Sequence, residues 1–256
     1  MNFLNAVILG IVEGITEFLP VSSTGHLILT SRILNLPQTD FLKSFEIAIQ
    51  MGAILSVVAL YWKSLLIDFK VFKRLVTAFL PTAVLGVVFY KLIKKFLLGN
   101  SQVVLWSLFL GGISLIIFEL FHREKEEAGQ ELSAITYKQS FIIGVFQALA
   151  MVPGVSRSAA TIIGGLSLGL RRKTIVEFSF LLAVPTMLAA TVLDLVKNPE
   201  IFSSGQLGFL SAGFIVSFIV ALLAIKGLLY FIKNNNFIIF GLYRIIVALS
   251  FWFIFR

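Results

Sequence analysis

Glu13-Gly14-Ile15-Thr16-Glu17-Phe18-Leu19-Pro20-Val21-Ser22-Ser23-Thr24-Gly25-His26 interrupts an apolar start, and Pro153-Gly154-Val155-Ser156-Arg157-Ser158-Ala159-Ala160-Thr161 interrupts another apolar stretch past the middle. Around them, apolar runs of helix-spanning length fill most of a chain that is 58% hydrophobic and 13% charged. That composition predicts an all-α polytopic membrane protein. The runs are too long and too uniformly apolar to alternate as barrel strands, and lipid leaves backbone groups no other way to be satisfied than helices. Ionisable groups at bilayer depth are costly unless paired or wet, so carboxylates, an imidazole and a guanidinium in these two interruptions point to a polar active site.

Ten helical segments are expected, at 3–18, 24–34, 41–62, 75–95, 101–121, 137–150, 157–169, 175–195, 206–232 and 237–255. Crossing a bilayer takes about 20 residues at a rise of about 1.5 Å each, which leaves about six full spans. The short pairs 3–18 with 24–34, and 137–150 with 157–169, are each joined by a Pro-containing polar turn. Each pair reads as a re-entrant hairpin that returns to its side of entry.

Gly10-Ile11-Val12-Glu13 is echoed by Gly144-Val145-Phe146-Gln147, and the context of Glu46 by that of Glu177, which suggests an internal duplication. One hairpin plus three spans crosses an odd number of times, so the copies must be inverted. The expected organisation is one integral membrane domain, 1–256, with repeat one at 1–121, a charged linker at 122–136 and repeat two at 137–256. Lys63, Lys70, Lys73, Arg74, Arg123, Lys125, Lys138, Arg171, Arg172, Lys173, Lys226 and Lys233 fall on one side. Arg32, Lys43, Lys91, Lys94, Lys95, Lys197 and Arg256 fall on the other, and twelve against seven makes the first side cytoplasmic. Both termini then face outward, and the hairpin tips meet near mid-membrane. The net charge of +8 sits mostly in these short loops, so membrane lipids and topology explain it, without nucleic acid. Cysteine is absent, which excludes disulfides and thiolate chemistry. Glu13 and Glu17 in the first apolar stretch, with no basic leader before it, argue against a removable signal peptide.

Four residues apart on a helix, Glu13 and Glu17 project from one face about 6 Å apart. Like charges so placed repel, and a divalent cation is the simplest compensation. Carboxylates without His or Cys suit Mg²⁺ or Ca²⁺ better than zinc. The alternative is a pair facing water at the mouth of a wet cleft. Ser22, Ser23 and Thr24 offer a hydroxyl cap to the helix that follows Pro20, and Ser156 and Ser158 repeat the device after Pro153-Gly154. Such helix N-termini bind anions, and Arg157 adds a planar fork for phosphate oxygens. Together they describe a clamp for a phosphate or diphosphate with its metal. His26 is a general acid/base or nucleophile, or else an interior histidine satisfied by hydrogen bonds. Glu46, Gln50, Gln147 and Glu177 either support this site or bridge helices. Arg244 is expected to pair with an acidic neighbour or to snorkel.

The first motif resembles the Glu-rich N-terminal signature of the undecaprenyl-diphosphate phosphatases, the bacitracin-resistance proteins, and Pro153 to Ser158 with Thr161 resembles their second signature. The likeness extends over the whole chain, including Tyr243-Arg244. Ala159-Ala160 stands where the family often has Gly-Gly or Gly-Ala. The resemblance implies hydrolysis of undecaprenyl diphosphate to undecaprenyl phosphate and inorganic phosphate with a divalent cation. It implies a lipid-carrier recycling role in peptidoglycan and other envelope polysaccharide synthesis, bacitracin resistance, and a site opening to the outer face of the bacterial inner membrane. By motif position, Glu13 and Glu17 would organise metal and water, Ser23 and His26 would stand at the reacting phosphorus, and Arg157 would hold the diphosphate. Ser22, Thr24, Ser156, Ser158 and Thr161 would bind substrate. A homodimer is left open beside a monomer. The rival reading is a secondary transporter or lipid flippase, whose architecture also uses inverted repeats and broken helices.

Overall fold

The computed structural model describes residues 1–37, 39–92, 100–122, 131–197 and 206–254. Among these residues it holds ten α-helices and no strand. They are α1 (Phe3–Thr16), α2 (Ser23–Ile33), α3 (Asp40–Leu66), α4 (Phe69–Leu92), α5 (Ser101–Phe121), α6 (Tyr137–Ala148), α7 (Arg157–Ser167), α8 (Arg172–Lys197), α9 (Leu207–Phe231) and α10 (Ile238–Ile254). Five of them, α3, α4, α5, α8 and α9, are long and apolar enough to cross a membrane, so the protein is a multi-pass membrane protein. The sixth expected span, 237–255, is the shorter apolar helix α10. At 17 residues and about 1.5 Å per residue it sits at the lower limit of spanning length.

Boundaries shifted where caps decide them. α4 starts six residues earlier than its hydropathy suggests because Asp68 Oδ1 accepts from the backbone N–H groups of Lys70 and Val71 at 3.0 and 3.2 Å. Lys70, Lys73 and Arg74 therefore belong to its first turns. α3 runs on past Tyr61, where the backbone leaves helical geometry (φ −123°, ψ 21°), and the Tyr61 hydroxyl donates to Glu177 of α8 across 3.5 Å. Lys94, Lys95, Arg123, Lys125 and Arg256, with 123–130 of the expected linker, lie outside the described residues.

Helices in lipid gain little from hydrophobicity and associate through close backbone approach, which small residues permit. A Cβ on Gly10 of α1 would stand 2.7 Å from the Gly213 carbonyl oxygen of α9, and one on Gly144 of α6 would overlap the Ala78 carbonyl oxygen of α4. α1 and α3 thus pack on α9, α6 and α8 pack on α4, and α5 pairs with α10.

Side chains tie the ends into two sets. At one end Glu119 of α5 pairs with Arg172 of α8 and accepts from the Phe237 N–H at the start of α10 at 3.2 Å. Arg74 near the start of α4 donates to the Ile135 carbonyl just before α6, and Gln139 in the first turn of α6 reaches the Leu168 carbonyl after α7 at 3.4 Å. At the other end Met1, Leu34, Leu36, Leu42 and Leu210 share one apolar cluster, joining the start of α1, the end of α2 and the starts of α3 and α9. The main core lies between, where Phe18 meets Phe180 edge to face at 5.3 Å between ring centroids.

Candidate active site

The two polar motifs form the α1–α2 and α6–α7 connections, and their tips touch. Ser22 caps α2, accepting from Gly25 N–H at 3.4 Å, and holds φ at +75°, a left-handed conformation that is costly for a residue with a side chain. Ser156 caps α7 by accepting from Ala159 N–H at 3.2 Å. Gly154 turns the second connection at φ +91°, and a Cβ there would stand 2.6 Å from the Val104 carbonyl oxygen. Only glycine suits both demands. Ser158 donates to the Leu19 carbonyl at 2.8 Å, so its hydroxyl joins the tips directly.

Arg244 does the same from α10, fully buried. Its guanidinium donates to the carbonyls of Pro20 (3.3 Å), Gly154 (3.2 Å), Ser107 (3.0 Å) and Leu108 (3.4 Å). The expected acidic partner is replaced by four backbone oxygens, because irregular turns inside a helical bundle leave carbonyls that something must satisfy.

A cavity of about 150 Å³ opens beside this junction, and Glu17, Ser22, Ser23, Thr24, Ser156 and Arg157 are among its lining residues. Ser23 Oγ donates to Glu17 Oε2 at 2.5 Å, and Arg157 Nη2 holds Glu17 Oε1 at 3.1 Å. Arg157 Nη1 is fixed by the Ser179 carbonyl at 2.7 Å. A hydroxyl on a carboxylate that is itself oriented by a third group is the arrangement of an activated nucleophile.

Other candidates are not part of the lining. Glu13 is fully buried, and neither of its carboxylate oxygens has a hydrogen-bond partner among the described residues. Glu17 and Glu46 are the carboxylates that act on it electrostatically, with Arg157 the opposing charge. The unpartnered oxygens of Glu13, beside the Glu17 carboxylate, fit a hard divalent cation. No group of three His, Asp or Glu side chains that could hold a metal occurs among the described residues, so oxygens of a substrate would have to complete the shell. His26 is absent from the cavity lining. Its Nδ1 meets the Ser22 carbonyl and its Nε2 meets the Tyr243 hydroxyl, each at 2.8 Å. The carbonyl can only accept, so Nδ1 carries the proton and Nε2 accepts from Tyr243 in the neutral ring, an assignment made from the hydrogen-bond network. Thr161 also stands back from the cavity, sharing a hydrogen bond of 2.6 Å with Ser179, the anchor of Arg157. Glu177 is taken up by Tyr61.

The lining also contains Thr82 of α4, Gln147 of α6 and Thr186 of α8, with Met151 and Met187. The threonines escaped the sequence reading. Their signal was a Pro-Thr pair, Pro81-Thr82 and Pro185-Thr186, in the middle of two spans, where a proline loosens the helix ladder and a hydroxyl can face the interior.

A family model described as bacitracin resistance protein BacA matches residues 6–250. The chain belongs to the BacA family. It is 52% identical over 249 residues to the undecaprenyl-diphosphatase of Aquifex aeolicus (strain VF5), covering 97% of each chain. It is 54% identical over 252 residues to that of Sulfurihydrogenibium sp. (strain YO3AOP1), covering 98% of this chain and 99% of the relative. With the undecaprenyl-diphosphatase of Wolinella succinogenes it shares 51% over 253 residues, 99% of this chain and 98% of the relative. Both polar motifs, the Pro-Thr pairs and Arg244 all lie within the matched BacA region.

Proposed function

We propose that this chain hydrolyses undecaprenyl diphosphate to undecaprenyl phosphate and inorganic phosphate, returning the lipid carrier to envelope polysaccharide synthesis and resisting bacitracin. The observation that carries the reading is the Ser23 hydroxyl on the Glu17 carboxylate, with Arg157 beside it, in the lining of a small cavity. Family membership and the names of its relatives supply the identity of the lipid.

Ser23 Oγ is the nucleophile toward the terminal phosphorus. As that bond forms, the hydroxyl proton passes to Glu17, the bond from phosphorus to the bridging oxygen breaks, and its electron pair leaves with the lipid monophosphate. Charge developing on the phosphoryl oxygens meets the Arg157 guanidinium and the free N–H groups at the starts of α2 and α7. Glu13 and Glu17 would hold a Mg²⁺ or Ca²⁺ ion. That ion supplies charge neutralisation at the diphosphate. His26 keeps the Ser22 turn in place and bonds Tyr243.

Support for a lipid substrate comes from a second cavity of about 700 Å³ that adjoins the first motif. Its walls are apolar side chains of α1, α9 and α10 with Thr16, Leu19, Val21 and Tyr243. The chain is further read as two inverted repeats, 1–121 and 137–256, each opening with a re-entrant hairpin. In favour of this, exchanging the halves turns the α1 to α9 packing into α6 to α4, and α3 to α9 into α8 to α4. The ends of α6 and α7 are tied at one side, and those of α1 and α2 at the other. With the Lys/Arg-richer side cytoplasmic, the first hairpin enters from outside and the site opens outward in the bacterial inner membrane.

The test is phosphate release by the purified protein in detergent, given a polyprenyl diphosphate and Mg²⁺ and no membrane gradient. Release is expected, and its absence, with transport of the intact lipid in vesicles, would replace the enzyme by a transporter.

A further inference from the structure

The cavity that Ser23 lines also carries a hydrogen-bond network whose last atom is left free. Gln147 is almost fully buried, and its Nε2 donates to Thr82 Oγ1 at 2.9 Å and to Thr186 Oγ1 at 3.1 Å. Thr82 spends its own hydrogen on the Gly144 carbonyl at 3.0 Å, and Thr186 on the Leu182 carbonyl at 2.8 Å. With both hydroxyls donating to carbonyls, each accepts from the glutamine, and this orientation of the amide, assigned from the network, is the one that keeps all four hydrogen bonds. Gln147 Oε1 is consequently fixed as a buried acceptor with no partner among the described residues. Leaving a buried acceptor unpaired is costly, and a structural bridge between helices would not require it.

Chemistry limits what that oxygen can hold. Phosphate oxygens are themselves acceptors, and the donors suited to them are Arg157 and the capped helix starts, which line the same cavity. A carbonyl oxygen needs an O–H. We propose that Gln147 Oε1 orients the water consumed in hydrolysis, with the Thr82 and Thr186 hydroxyls fixing the direction of the amide.

The proposal rests on the phosphatase reading. In the second half of that reaction the water oxygen bonds to the phosphorus carried by Ser23, and the bond from phosphorus to Ser23 Oγ breaks. Oγ recovers its proton from Glu17, Glu17 takes one proton of the water and gives it up to solvent as phosphate leaves, and the other stays on the released phosphate. Gln147 exchanges no proton. By accepting a hydrogen bond it turns a lone pair of the water toward phosphorus, and orientation of this kind is worth about 100-fold in rate.

The experiment compares wild type with Gln147→Met, which keeps the volume and removes the acceptor, and with Thr82→Val, which removes one anchor. Steady-state kinetics on a polyprenyl diphosphate with Mg²⁺ are read beside melting temperatures. The expected result is a kcat lowered about 100-fold by Gln147→Met and less by Thr82→Val, with KM falling in step so that kcat/KM stays close to wild type, and with melting temperatures close to wild type. In single turnover, lipid monophosphate should appear faster than inorganic phosphate in the Gln147→Met protein, the difference remaining on the enzyme. Unchanged kcat, a raised KM with unchanged kcat, or an unstable variant whose folded fraction turns over normally would each overturn the assignment. A wild-type protein that releases no phosphate would instead overturn the phosphatase reading itself.

Discussion

Ser23 and Glu17, six residues apart in sequence, face each other across a 2.5 Å hydrogen bond, with the serine hydroxyl as donor and Glu17 Oε2 as acceptor. The other oxygen of that carboxylate is held by Arg157 at 3.1 Å. The carboxylate therefore cannot swing away from the hydroxyl without giving up an ion pair, and the proton's path is set before substrate arrives.

Ser23→Ala should remove nearly all turnover. Glu17→Gln should cost about 10²–10⁴-fold, the usual contribution of a positioned base. Phosphate release measured at saturating lipid checks both, and a Ser23→Ala protein within tenfold of wild type would pass the nucleophile's role to water.

Arg157→Lys keeps the charge but loses the fork that spans Glu17 and the Ser179 carbonyl. It should fail nearly as badly as Arg157→Ala, because direction matters here more than charge. Turnover is to be read beside melting temperature. A lysine variant retaining most of the activity would show that charge alone suffices.

Glu13→Gln should leave the protein folded and raise the Mg²⁺ concentration needed for half-maximal rate, since one buried, unpartnered carboxylate is lost from the cation site. A metal titration decides it: an unchanged Mg²⁺ curve would remove Glu13 from the site.

His26 and Tyr243 should behave as one unit. With both ring nitrogens engaged, His26→Ala is expected to cost less than Ser23→Ala, and the double variant with Tyr243→Phe should lose less than the two single effects added together. Strict additivity in a double-mutant cycle would mean that the two residues act separately.

Arg244→Met should be a stability variant. It strips the Pro20, Gly154, Ser107 and Leu108 carbonyls of their shared donor, and buried unsatisfied polar groups cost about 1–3 kcal/mol each. Low yield and a melting temperature lowered by many degrees are expected. A stable but inactive Arg244→Met protein would move the residue from holding the tips to the reaction.

Much of this was written locally. The helix segments, the Pro-containing turns and the hydroxyl caps Ser22 and Ser156 depend on residues within a few positions of one another, so hydropathy period, turn chemistry and cap spacing carried them. The spacing of Glu13 and Glu17 likewise follows from one helix face. Even the early start of α4 has a local cause in Asp68, overlooked because hydropathy masks a single cap.

What the tertiary structure alone decided lies between segments far apart in the chain. His26 meets Tyr243 across 217 positions, Arg244 reaches Pro20 across 224, and Gln147 finds Thr82 and Thr186 at 65 and 39. Sequence names these residues as polar groups in apolar surroundings, which sets a demand for partners. Which partners answer it depends on how glycine-lined helices settle against each other, and that is a property of packing distances that no local pattern encodes.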